Sequence, residues 1–132
     1  MSDRSELIEL HNRLSKTLDE ERGVAREKRY EKGYRTAREN LDDLVDEGSF
    51  VEYGQLAIAA QKSRRELEEL RTETAADGII TGFGKINSEI LDNKKALSAI
   101  IINDYSVLAG TQGYYHHKKL DRICETAEKQ NL

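Results

Sequence analysis

The 132-residue chain contains no proline. Average usage of about 5% predicts roughly six or seven at this length. That absence fits a helix-rich, highly charged chain. A single cysteine, Cys124, excludes an intramolecular disulfide and fits a reducing compartment. No apolar run approaches the roughly 20 residues of a membrane-spanning helix. The N-terminal residues Ser2-Asp3-Arg4-Ser5-Glu6 lack the apolar centre of a secretory signal. The expectation is therefore a cytoplasmic protein with no membrane partner. A basic excess is also missing. The 21 Lys and Arg stand against 25 Asp and Glu, for a net charge of -4. A phosphate backbone requires the opposite balance, so nucleic acid is not an expected partner.

What is present is charge, at 35% of residues, and a modest 37% of hydrophobic residues. That suits one domain with a limited core. Leu7, Leu10, His11, Leu14 and Leu18 recur at helical spacing. They predict an amphipathic helix over about Asp3 to Leu18, with Asp3 and Glu6 as a D-x-x-E cap. On that stripe His11 is expected as a partly buried structural residue. Glu20 to Tyr34 interleaves both signs and reads as a solvated helix with i,i+4 pairs. The other reading is a basic surface for a phosphate-bearing ligand. Thr36-Ala37-Arg38-Glu39 is a capping box opening a helix whose buried stripe is Ala37, Leu41, Leu44 and Val45. Gly48 is expected to cap its end.

Strand patterns follow. Phe50 to Tyr53 is a short one. Asp77 to Ile86 is a second, and its Gly78, Gly82 and Gly84 suggest close backbone approach. The charged stretch Gln61 to Thr74 reads as an exposed helix or a mobile excursion. A polar turn over Asn87 to Lys95 leads, hairpin-like, to the apolar run Leu97 to Ile102, continuous enough for a strand buried on both faces. A loop with Gly110 and Gly113 then leads to a final helix over about Gln112 to Lys129. Its inward side is expected to be His116, Leu120, Ile123, Cys124 and Ala127. A strand, a small-residue loop and a helix start together form a device for presenting N–H donors to an anion or oxyanion, because the first helical amides have no partner of their own.

Four ordered segments resemble a known family. They are Thr36-Ala37-Arg38-Glu39, Val45 to Tyr53, Asp77-Gly78-Ile79-Ile80-Thr81-Gly82, and Asp104-Tyr105-Ser106-Val107-Leu108-Ala109-Gly110-Thr111-Gln112-Gly113. In this order they resemble the N-terminal part of the carboxyltransferase component of biotin-dependent acyl-CoA carboxylases. The resemblance runs from about Gly33 to the end, apart from the charged excursion and the Asn87–Lys95 turn. Glu47 departs from it where proline is common, and Ala109 where glycine is frequent.

The resemblance implies a mixed α+β or α/β fold, a partial crotonase-like ββα domain preceded by N-terminal helices. Residues 1–48 would be the helical region and 49–132 the incomplete ββα domain, together one structural unit. It implies an acyl-CoA substrate, with Ala109, Gly110 and Thr111 as the backbone cradle for a thioester enolate. Gln112, Gly113, Lys118, Lys119 and Arg122 would contact the CoA. Carboxybiotin would come from a partner carrier domain. The expected partners are the remaining carboxyltransferase half or subunit and the biotin carboxyl carrier and biotin carboxylase components, in an oligomer. Because the family continues with a further strand, a glycine-rich loop and a second domain, the chain resembles a fragment or a small subunit that is inactive alone.

Other residues carry weaker signals. His117 and Asp121 are spaced i,i+4, but two ligands do not make a metal site, so no metal is expected. Cys124 reads as a small core residue, and Tyr105, Tyr114 and Tyr115 as packing residues. The alternative to the enzyme reading is a non-catalytic interaction module, with the helices as docking elements and the sheet as an assembly surface.

Overall fold

The computed structural model describes residues 2–132, with the side chains of Ser2 and Asp3 outside the described set. Six helices and three strands follow in the order α1 (Ser2–Ser15), α2 (Gly23–Glu31), α3 (Ala37–Leu44), β1 (Val51–Tyr53), α4 (Leu67–Glu73), β2 (Ile79–Lys85), α5 (Asn93–Ala96), β3 (Leu97–Asn103) and α6 (Tyr114–Gln130). The strands form one antiparallel sheet in the order β1-β2-β3. Val51 lies opposite Phe83, and Ile79 to Lys85 run against Asn103 to Leu97. The fold is thus the mixed helix and small antiparallel sheet that the resemblance implies.

Alternation along β2 assigns the two faces. Ile80, with Ile100 of β3, packs against Ala37 and Leu41 of α3, and Val45, Phe50, Ile86 and Ile102 close around them. Ile79 and Thr81 point to the other face, where α6 packs and brings Ile123 and Lys119 to the sheet. The capping box at α3 forms as read. The Thr36 hydroxyl accepts from the Glu39 N–H at 3.0 Å, and the Glu39 carboxylate accepts from the Thr36 N–H. Arg38 then ties α3 to β1 with a two-pronged contact to Glu52 at 2.7 and 2.9 Å. Gly82 shows the close approach read from its position. An added Cβ there would collide with the Val51 carbonyl oxygen and lie 2.7 Å from the Phe50 ring.

Several expectations are corrected. The run Leu97 to Ile102 is not buried on both faces. β3 is a sheet edge, with Ile100 buried and Ile101 42% exposed. The stripe on α1 is not covered either. Leu7, Leu10 and His11 are exposed, and so is Leu18, which lies beyond the helix end at Ser15. The Asp3–Glu6 cap lies outside the described residues. α3 ends at Leu44, so Gly48 serves the following turn, where the Ser49 N–H donates to the Asp46 oxygen. On α6 Cys124 is exposed, and Lys119 is buried instead. The charged excursion is partly helical and is anchored by the fully buried Leu70 of α4. Among the described residues no helix is long and apolar enough to cross a membrane.

Candidate active site

The segment 104–113 turns sharply between β3 and α6. Asp104 keeps the sheet register by donating its N–H to the Gly78 oxygen at 2.8 Å. Val107 is buried against Gly78. The chain then folds through a 3-10 turn, Leu108–Gly110, with φ of 47° at Leu108, 53° at Ala109 and 79° at Gly110. Left-handed geometry at two non-glycine residues is uncommon and marks a constrained turn.

The backbone donors of this turn divide into two groups. The Gly110 N–H donates to the Val107 oxygen at 3.0 Å, and the Thr111 N–H to the Leu108 oxygen at 3.1 Å. Those two amides are engaged within the turn. The N–H groups of Ala109, Gln112 and Gly113 have no hydrogen bond among the described residues. Ala109 and Gln112 are exposed.

The start of α6 already holds a carboxylate from within the fold. Asp77, 2% exposed, comes from the 3-10 turn Ala75–Gly78 and places its carboxylate on the first turn of α6. One of its oxygens accepts the His116 N–H at 2.9 Å. A Cβ on Gly113 would lie 3.2 Å from both oxygens, so glycine there admits the carboxylate. An internal anion thus already occupies the positive end of the helix. The His116 ring closes the same junction through Nδ1 and the Asp77 carbonyl oxygen at 3.0 Å.

Lys119 belongs to this junction as well. Its ammonium donates to the carbonyl oxygens of Ala76, at 2.8 Å, and of Ile79. Burial pulls its pKa from the ordinary 10.5 down to about 8. Both hydrogen bonds go to main-chain oxygens, one in the turn and one at the start of β2, so Lys119 ties α6 to both. Lys118 lies over the Tyr114 ring at 5.0 Å. Lys119 and Arg122 border a separate hollow beside Glu52, Tyr53 and Thr81.

The loop itself borders a cavity of about 690 Å³ between α2 and segment 105–109. Ala109, Leu108 and the exposed Tyr105 form one wall, and Lys28 and Arg29 of α2, with Lys32 at its C-cap, the other. Arg65 and Glu73 meet at its far side and neutralise each other. Lys28 and Lys32 have no ion pair among the described residues, and Glu21 is the other acidic group in the lining. Arg29 lies over the Tyr34 ring at 4.8 Å and 5.9 Å from that of Tyr105. None of Lys118, Lys119 and Arg122 lines this cavity. Of the site residues expected from the sequence, the structure brings Ala109 to the cavity and keeps Gly110 as its left-handed hinge. The basic residues bordering that cavity come mainly from α2 and its caps, where interleaved acidic residues mask the pattern.

With this loop, sheet and helix arrangement established, the chain can be set beside known proteins. The carboxyl transferase domain family matches residues 28–132, and the chain belongs to it. It is 35% identical over 124 residues to the biotin-dependent acetyl-/propionyl-coenzyme A carboxylase beta5 subunit of Mycobacterium tuberculosis, covering 93% of this chain and 21% of that one. It is 31% identical over 96 residues to the propionyl-CoA carboxylase beta chain of Roseobacter denitrificans, covering 73% and 17%. Among solved structures, a single-chain, multi-domain long-chain acyl-CoA carboxylase superposes with a TM-score of 0.94 at 49% identity, covering 96% of this chain and 13% of that one. Transcarboxylase 12S superposes at 0.60 with 28% identity, over 79% and 18%. The chain thus spans about a fifth of the length of the curated relatives it matches.

Proposed function

We propose that this chain supplies the acyl-CoA side of a biotin-dependent carboxyltransferase. The observation that carries the reading is a cavity lined both by Ala109, whose N–H has no acceptor among the described residues, and by Lys28 and Lys32, which have no ion pair among them. Lys28, Arg29 and Lys32 attract the phosphates of CoA, and Tyr105 offers an open ring face to its base. Ala109 supplies a main-chain donor for the thioester. Removing a proton α to a thioester leaves negative charge on the carbonyl oxygen. A preorganised N–H facing that oxygen lowers the barrier, and one such donor is worth about 3–4 kcal/mol. Gly110 and Thr111 act indirectly, since their own amides close the turn that holds Ala109 out.

Carboxybiotin, when delivered by its carrier, supplies the carboxyl group that the enolate accepts. The chain has one free cysteine and no membrane-length helix among the described residues, which is compatible with a cytoplasmic enzyme. The partners are the rest of the carboxyltransferase and the biotin-carrying components, and the transcarboxylase 12S structure is described as a hexamer assembly. The exposed edge of β3 and the apolar residues Leu7, Ile8 and Leu10 of α1 are surfaces for the rest of such an assembly.

Calorimetric titration with CoA tests the reading. Lys28→Ala combined with Lys32→Ala should weaken binding about tenfold, a change of about 1.4 kcal/mol. The loss should shrink as salt rises from 0.05 to about 0.5 M, where screening shortens to a few ångströms. Unchanged affinity in the double variant would remove the cavity from consideration.

A further inference from the structure

The cavity has two walls that are far apart in sequence, and the buried side chain of Arg22 joins them. Arg22 is the residue immediately before α2, and its carbonyl oxygen accepts the Arg26 N–H that starts the helix. Its side chain is only 6% exposed and reaches across to the loop. Nη1 donates to Asp104 Oδ2 at 2.9 Å, and Nη2 donates to the Ser106 hydroxyl at 3.2 Å. The other Asp104 oxygen accepts the Ser106 N–H at 3.0 Å and its hydroxyl at 2.5 Å. From Asp104 the chain of contacts continues to Val107, whose N–H donates to the Asp104 carbonyl, and on to Gly110, whose N–H donates to the Val107 carbonyl.

We infer that Arg22 is a positioning residue that sets the spacing between the cationic wall of α2 and the donor wall carrying Ala109. The guanidinium suits this task because its planar fork fixes direction as well as distance, which an ammonium does not. The Asp104–Ser106 turn gives the fork two fixed acceptors at the root of the loop. Arg22 itself lies outside residues 28–132, so the N-terminal helical region contributes to the geometry of the family domain. Its Nε–H is buried without a partner, so burying this side chain for stability alone is a poor explanation; unmatched buried donors are unfavourable.

The inference rests on the cavity reading for its ligand but not for its geometry, and two readouts on the full chain separate them. The first is amide hydrogen exchange. Arg22→Gln should speed exchange of the Gly110 and Thr111 amides about tenfold or more relative to wild type. The amides of Leu70 and Ile80 should not change. Arg22→Lys should fall between the two, and Ser106→Ala, which removes one arm only, should give a smaller shift of the same kind. The second readout is calorimetry with CoA, where affinity should follow the same order of variants. Unchanged exchange at Gly110 and Thr111, or a uniform rise across the chain, would overturn the positioning role. Failure of the wild-type chain to bind CoA would instead count against the cavity reading, and the exchange pattern alone would then decide Arg22.

Discussion

At the start of α6 Asp77, His116 and Lys119 are buried and bonded within the fold, whereas Lys28 and Lys32 beside the α2 cavity are exposed. Asp77 caps the helix, His116 closes the turn and Lys119 holds two carbonyl oxygens, with Asp77 and His116 at 2% and 1% exposure. On the cavity side, Lys28 and Lys32 are exposed and unpaired among the described residues, and the Ala109 amide has no acceptor. A helix and a cluster of basic residues occur in both places. Only burial separates the junction that stabilises the molecule from the surface that can bind. The positive end of a helix is an anion site only when the fold has not already filled it.

The sharpest way to break this contrast is Asp77→Ala. It leaves the His116 N–H buried without an acceptor and removes the anion from the α6 terminus. Urea unfolding should show a loss of about 3 kcal/mol. If stability is unchanged, the junction is not the anchor described. A smaller effect tests Lys119. Its folded pKa of about 8 lies below the ordinary 10.5. Between those values the unfolded chain binds more protons than the folded one. Stability should therefore rise with pH through that window, by about 2 kcal/mol after allowing for screening, and the penalty should be complete below pH 8. Lys119→Met should lack that rise, and an identical pH slope in both proteins would contradict the assignment. The smallest effect is on the exposed part of α6. Lys118→Ala should change CoA affinity by less than about twofold, since 1.4 kcal/mol corresponds to tenfold. A loss as large as that of the Lys28 and Lys32 double variant would move the site to α6.

Much of the fold was legible because it depends on local patterns. The capping box at Thr36, the three strands and the close approach at Gly82 all follow from short-range rules. The faces of β3 were not legible. A continuous apolar run looks the same in a central strand and in an edge strand, and only topology places Ile101 at the surface. The loop 104–113 was recognised, but which of its amides remain free depends on hydrogen bonds from Gly110 to Val107 and from Thr111 to Leu108. Lys119 is expected from the resemblance as a CoA contact, and the charge of a lysine argues against burial. Its helical spacing from His116 and Ile123, both of which are buried, was the available signal. The Arg22–Asp104 pair spans 82 residues, beyond the reach of any periodicity.

In the proposed function the α2 cavity, and not the α6 terminus, receives the CoA. Amide chemical-shift mapping on the full chain during titration with CoA tests it most directly. Saturable shifts should appear at Ala109, Gln112 and residues 28–32, with residues 118–122 unmoved. Saturable shifts confined to residues 118–122, or none at Ala109 at saturating CoA, would contradict it.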